Sequence, residues 1–234
     1  MSEKLHSARI TRRAAISRVA AVVGSAAFAR TFFGSGEALA APSLEEVLRT
    51  VSAARDGLKT LSGPFTQERT IGLLSAKVKS TGTLTLVRPD RLRWELAAPD
   101  GVVYWVGPEG LAYKSARGGQ GRVPPTHARI AAALDDLRLV LAGDLGNLRT
   151  RYELTLTPPA AAVAGAGAIE TLYAFSAKPR DPNAKLKRID FELDATGGPR
   201  KVVLVEGAKD NTEILFGKLI RDATVDPQSM RPSF

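Results

Sequence analysis

The feature that most constrains this chain is a period of two in its apolar residues, which starts near Ser80 and returns in successive blocks as far as Leu219. Between Arg91 and Leu96 the run Arg-Leu-Arg-Trp-Glu-Leu alternates charged and apolar side chains without a break, the pattern of a strand with one face buried and one wet. Just before it, Thr83 and Thr85 alternate with Leu84 and Leu86, and Pro89-Asp90 marks the turn between the two strands. Val102 to Val106 and Leu111 to Tyr113 form two more short strands around the turn cluster Gly107-Pro108-Glu109-Gly110. Strand spacing returns at Tyr152, Leu154 and Leu156, and again at Ile169, Thr171, Tyr173 and Phe175. Three last strands follow at Ile189-Phe191-Leu193, Val202 to Val205 and Glu213 to Leu219, with Gly197-Gly198-Pro199 as a hairpin signal.

Helical spacing interrupts this pattern twice. Over residues 44–61, Leu44, Val47, Leu48, Val51, Leu58 and Leu61 recur at helical steps behind a Ser43/Glu46 capping box, and Gly63-Pro64 is expected to stop the helix. Past Pro124-Pro125, with Thr126 as N-cap, Ile130, Leu134, Leu137 and Leu141 make an apolar stripe that ends at Gly143. Pro158-Pro159 and the Ala/Gly run to Ala168 predict a flexible loop, because small residues bury little area against their ordering entropy. Antiparallel neighbours joined by short turns predict an α+β protein with a large, curved antiparallel sheet of about nine or ten strands and the helices on one face.

The N-terminus predicts export. Arg9, Arg12 and Arg13 form a basic region, Val19 to Ala29 an apolar stretch too short to span a bilayer, and Ala38-Leu39-Ala40 a cleavage site. Residues 1–40 therefore have the form of a twin-arginine signal peptide cut between Ala40 and Ala41, leaving residues 41–234 as one domain. The location implied is the periplasm, and without a Cys after the apolar stretch no lipid anchor is expected. Six of the 33 Lys/Arg and two of the 24 Asp/Glu lie in that segment, so almost half of the +9 net charge belongs to it. The remaining bases are scattered and not interleaved with aromatics, which argues against a nucleic-acid partner.

Composition also limits the chemistry. With no Cys there is no disulfide, thiol chemistry or Cys-metal centre, and His6 and His127 are the only histidines. Asp135 and Asp136 are adjacent and point to different sides of their helix, unlike a catalytic carboxylate pair. The glycine clusters at 107–110 and 118–121 do not lead into helices, as a phosphate loop must. No nucleophile–base pair, metal site or cofactor is expected, and the chain is read as a non-enzyme.

What remains is apolar surface. Two helices covering a sheet this wide can leave an apolar cavity beneath them, with Leu84, Leu86, Leu92 and Trp94 on the sheet and Leu134, Leu137 and Leu141 on the helix as its candidate lining. Arg88 shares strand parity with Leu84 and Leu86. If it faces inward it must find acceptors, and the carbonyls of a covering helix would make it a latch.

The order Gly63-Pro64-Phe65-Thr66-Gln67, Gly82-Thr83-Leu84, Arg88-Pro89-Asp90-Arg91-Leu92-Arg93-Trp94-Glu95 and Pro99 resembles the periplasmic outer-membrane lipoprotein carrier family, LolA. The resemblance spans nearly all of residues 44–225. It implies an incomplete, curved antiparallel β-barrel of about 9–11 strands with a helical lid over an apolar cavity, and Arg88 stands at the position of the family's lid-holding arginine. It also implies acylated lipoproteins or other lipids as cargo, an inner-membrane ABC transporter as donor, an outer-membrane acceptor, transient membrane contact, and a monomer. The alternative is a periplasmic lipoprotein sensor or lipid-binding interaction module on the same fold.

Overall fold

The computed structural model describes residues 42–123, 128–142, 145–158 and 173–234. The expected signal peptide, Thr126, His127, Gly143, Ile169, Thr171 and the expected loop from Pro159 to Ala168 lie outside these residues.

Helix α1 (Leu44–Ala54) starts with the anticipated capping box. The Ser43 N–H donates to Glu46 Oε2 at 2.7 Å, and the Glu46 N–H donates back to Ser43 Oγ at 3.3 Å. Its buried residues Val47 and Val51 stand one turn apart. The helix is shorter than its apolar spacing suggested, because it is capped at Arg55, and Gly57 with a φ of 75° turns the chain away. Leu58 follows in the connection, and Leu61, Gly63 and Pro64 all belong to strand β1 (Thr60–Ile71). Pro64 did not act as a stop signal because its missing N–H does not break the strand: its carbonyl still accepts from the Gly217 N–H at 2.9 Å.

A 3-10 turn at Gly72–Leu74 leads into β2 (Ala76–Val87), then β3 (Arg91–Leu96), β4 (Val102–Gly107), β5 (Gly110–Ser115) and β6 (Gln120–Arg122). Two helices follow, α2 (Ala128–Ala142) and α3 (Leu145–Arg151), the second beyond the two that periodicity predicted. The chain then forms β7 (Tyr152–Thr157), β8 (Tyr173–Pro179), β9 (Arg188–Leu193), β10 (Pro199–Val205), β11 (Asn211–Phe216) and β12 (Ile220–Arg221). Eleven strands run in the order β6-β5-β4-β3-β2-β1-β11-β10-β9-β8-β7, and β12 pairs with β1 beside them. Every pairing is antiparallel. Among the described residues the sheet stays open, with β6 and β7 as its outer strands, an incomplete antiparallel barrel of twelve strands with three helices.

Register explains why one face is apolar. Leu61, Leu86, Leu92, Val106 and Leu111 are successive cross-strand partners from β1 to β5, and all five are buried. On the other half, Ile214, Val202, Phe191 and Phe175 form a matching row. Both rows join Val47 and Val51 of α1 and the buried leucines of α2 in one hydrophobic cluster. Each such side chain contributes about 1.5–3 kcal/mol when withdrawn from water.

Gly82 has a different role. It faces Phe65 across β1–β2, and a Cβ there would stand 2.5 Å from the Phe65 ring and 2.1 Å from the Glu95 carbonyl. That space lets Phe65 stack on Trp94 with ring centroids 3.7 Å apart, while Phe216 meets Trp94 edge-on.

Candidate functional site

The helices lie against the concave apolar face. Helix α2 packs on β2, β4 and β10, and it turns Leu134, Leu137 and Leu141 towards the sheet. Ile130, the first residue of the expected stripe, is instead 39% exposed. The other candidate lining residues all enter the same cluster: Leu84 faces Trp94 and Leu86 faces Leu92 across β2–β3.

They do not enclose open space in this form. Leu84, Leu86, Leu92 and Leu141 are 0% exposed, so no water-sized void touches their side chains. A larger hollow of about 640 Å³ lies on the other side of the sheet, where Pro64, Thr66, Thr81, Thr83 and Leu215 line it. Strand parity places these residues opposite the buried row. The hollow also reaches Phe65, Gly82 and Phe216, of which the two phenylalanines belong to the core cluster.

Arginines fasten the helices. Arg88, half-buried at the end of β2, donates from Nη1 to the carbonyls of Arg55 at 2.9 Å and Leu58 at 3.3 Å. Its acceptors thus lie at the C-terminal end of α1 and in the connection that follows. The carbonyls of α2 are taken by Arg55, a residue that strand parity and motif order passed over. Arg55 Nη1 donates to Val140 at 2.9 Å and Leu141 at 3.3 Å, and Nε donates to Gly197 at 2.5 Å. Arg55 is 2% exposed, and its Nη2 is buried without an acceptor among the described residues.

One guanidinium therefore joins the end of α1, the last turn of α2 and the β9–β10 hairpin. Helix C-termini favour cations, which offsets part of the cost of burying the charge. Burial, reinforced by Arg221 and Arg88 nearby, lowers the Arg55 pKa to about 10, which leaves it charged at neutral pH. A sequence signal for it existed: Val47, Val51 and Arg55 recur every four residues, so the arginine continues the buried stripe of α1. Gly197, with a φ of 75°, lets the hairpin approach, because a Cβ there would lie 3.0 Å from Arg55 Cγ.

A second fastener ties α2 to the end of α3 and the start of β7. Asp136, 5% exposed, accepts from Tyr152 Oη at 2.6 Å and from Arg151 Nη2. Arg151 also reaches Asp135 at 3.1 Å, and Asp135 pairs with Arg138 at 2.7 Å. Burial pushes the Asp136 carboxyl up, against the pull of Tyr152 and Arg151, and burial beside that carboxylate also raises the Tyr152 phenol. Both aspartates are thus occupied in tying α2 to the start of β7. Among the described residues, no group of three or more His, Asp or Glu is placed to hold a metal ion.

The site is thus an open antiparallel sheet whose apolar face lies under helices held by arginine-to-carbonyl bonds. The family model for the outer membrane lipoprotein carrier protein LolA matches residues 56–104, which contain Phe65, Gly82, Arg88 and Trp94. An outer-membrane lipoprotein carrier protein from Alkalilimnicola ehrlichii is 28% identical over 182 residues, covering 74% of this chain and 72% of the relative. Over residues 56–104 the chain is therefore similar to the family that the motif order had implied.

Solved structures similar to this chain include a LolA superfamily protein from Nitrosomonas europaea, with 9% identity, a TM-score of 0.42, and 82% of this chain and 99% of that one covered. A putative outer membrane lipoprotein-sorting protein domain from Vibrio parahaemolyticus has 10% identity and a TM-score of 0.45 over 79% of this chain and 94% of that one. MucB, solved in complex with MucA(peri), has 15% identity and a TM-score of 0.41; 81% of this chain is covered, but only 59% of the MucB chain.

Proposed function

We propose that the chain is an exported periplasmic carrier that shields the acyl chains of lipoproteins between its helices and its sheet, and shuttles them from the inner to the outer membrane. The observation that carries this reading is the way α2 is held. Its last turn is fastened by hydrogen bonds from Arg55 to Val140 and Leu141, over leucines that need a partner surface on both sides. Neutral acceptors give modest bonds of about 1 kcal/mol each, or roughly twice that when the donor is charged. At this end the lid can open without separating an ion pair, while Arg151 holds Asp135 and Asp136 of α2.

Leu84, Leu86, Leu92, Trp94, Leu134, Leu137 and Leu141 are assigned as the acyl-binding surface and Arg88, with Arg55, as the latch. In the closed form the lining residues fill the space themselves. An acyl chain would then replace the helix contacts and keep the leucines out of water. Each methylene it buries contributes about 0.8 kcal/mol, without direction, so different cargoes can share the surface. The exchange comes close to balance, as a carrier that must release its load requires.

An ABC transporter in the inner membrane as donor and an outer-membrane acceptor follow from the family likeness, as do transient membrane contact and a monomeric state. The twin-arginine signal of residues 1–40 and its cleavage between Ala40 and Ala41 supply the route. Purification of residues 41–234 followed by mass spectrometry of bound lipid tests the reading, together with displacement of an apolar dye. Arg88→Leu should keep the fold but retain cargo against an acceptor membrane. Unchanged transfer would remove Arg88 from the latch, and the absence of any displaceable dye site would count against a carrier. A stable regulatory partner combined with no lipid transfer would favour the sensor alternative.

A further inference from the structure

A second polar centre lies beside the clamp, and carrying acyl chains does not require it. A cavity of about 170 Å³ is bounded by the β9–β10 hairpin and the start of β12, and Arg55, Arg200, Lys218 and Arg221 line it against Asp194 as the sole carboxylate. That carboxylate is already used within its own turn: Oδ1 accepts from the Thr196 N–H at 2.9 Å, the Thr196 hydroxyl at 2.7 Å and the Gly198 N–H at 2.8 Å.

Buried Arg55 and half-buried Arg221 donate to carbonyl oxygens, and Asp222 lies next to Arg221. Arg221 donates to Thr196 at 3.0 Å and Ala54 at 2.9 Å, and Arg55 to Gly197, Val140 and Leu141. Arg88 adds a third guanidinium at the end of α1. Arg55 Nη2 has no acceptor among the described residues. Mutual repulsion between Arg55, Arg221 and Arg88 adds to burial in lowering the Arg55 pKa, with Asp194 opposing it.

Two helix C-termini offset only about one unit of this charge between them. Arg55, Arg221 and Lys218 around a partly enclosed hollow, with Asp194 Oδ1 taken up by its own turn, are complementary to an anion with several acceptor oxygens. Arginine forks suit tetrahedral phosphate oxygens in particular.

We propose that this cavity binds a phosphate-type anion, either free phosphate or the phosphate of a lipid headgroup. The site touches the clamp directly. Arg55 Nε is held by the Gly197 carbonyl, which belongs to the cavity wall, while Nη1 of the same guanidinium holds α2. An anion that competes with Gly197 for Arg55 also shifts the group that fastens the lid, so occupancy and lid release are coupled.

The test is a titration of the full-length chain, read from the arginine Nε–Hε signals in 1H–15N spectra. One arm uses inorganic phosphate and the other dihexanoyl phosphatidylglycerol below its micelle concentration. Saturable shifts of the Arg55 and Arg221 signals are expected, with apparent affinity lowered at least tenfold in Lys218→Glu; Lys218 is exposed, so this substitution leaves the packed core intact. Shifts with both probes assign a general phosphate site, and shifts with the lipid alone assign a headgroup site. No arginine shift with either probe overturns the proposal, as does binding unchanged in both Lys218→Glu and Arg200→Glu. The result is independent of acyl binding, which would appear at Leu84, Trp94 and Leu137 instead.

Discussion

Arg55 and Val140 are 85 residues apart in the chain, yet the Arg55 Nη1 lies 2.9 Å from the Val140 carbonyl oxygen. The contact joins the C-terminal cap of the first helix to the last turn of the second. It also identifies which hydrogen bonds must break before the apolar face of the sheet can be uncovered from that side.

Arg55→Met keeps most of the aliphatic stem but leaves the carbonyls of Gly197, Val140 and Leu141 without this donor. A loss of about 2–4 kcal/mol in unfolding free energy is expected, typical of losing a buried charged donor. Hydrogen exchange should show the loss of protection concentrated in α2, with the β1–β2 hairpin protected nearly as before. Equal loss across the sheet would mean that Arg55 supports the whole fold and not the lid.

Gly82→Ala places a methyl group 2.5 Å from the Phe65 ring. The Phe65–Trp94 stack must shift, and overpacking of this kind costs about 1–3 kcal/mol. The near-ultraviolet circular dichroism of Trp94 should weaken while the far-ultraviolet signal holds. An unchanged aromatic signal would show that the backbone yields instead.

The Asp136 carboxyl is raised above its ordinary value by burial, so the folded chain holds its proton more tightly than the unfolded chain does. Its contribution to stability is therefore complete below the unfolded value of about 3.9 and is lost as pH rises through the folded value. Urea unfolding between pH 7 and pH 4 should show the native chain gaining stability relative to Asp136→Asn as pH falls. A difference between the two that does not change with pH would show that burial does not govern this carboxyl.

Trp105 lies on the face of β4 opposite the core, yet it is only 7% exposed, because the C-terminal segment covers it. Its Nε1 donates to the Ser229 carbonyl at 3.0 Å, and Met230 is buried against the same region. Deleting residues 227–234 should make one of the two tryptophans accessible to acrylamide and shift emission to the red, with Trp94 unaffected. Unchanged quenching would mean that other groups cover the ring.

Local pattern carried much of the architecture. The alternation from Arg91 to Leu96 is β3, the Gly107-Pro108-Glu109-Gly110 cluster is the β4–β5 hairpin, Gly197-Gly198-Pro199 joins β9 to β10, and the Ser43/Glu46 box opens α1. Each of these is fixed by residues within one turn or one pleat of each other. Pro64 misled because a missing N–H has different consequences at a helix end and in a strand, and its neighbours decide which applies.

The sequence by itself determined that one face of an antiparallel sheet would be apolar and that helices would cover it, because a period of two or of 3.6 assigns each side chain to a face before any long-range contact forms. Parity with Leu84 and Leu86 left Arg88 either facing inward or released to the rim by Pro89. Only the tertiary structure decided which carbonyls each arginine meets. A hydrogen bond from Arg55 to Val140 depends on the approach of α2 to the β9–β10 hairpin, and no local spacing encodes that distance. Tertiary packing also decided that the apolar face is filled in this form, since whether seven leucine and tryptophan side chains leave a cavity depends on how closely the two layers approach.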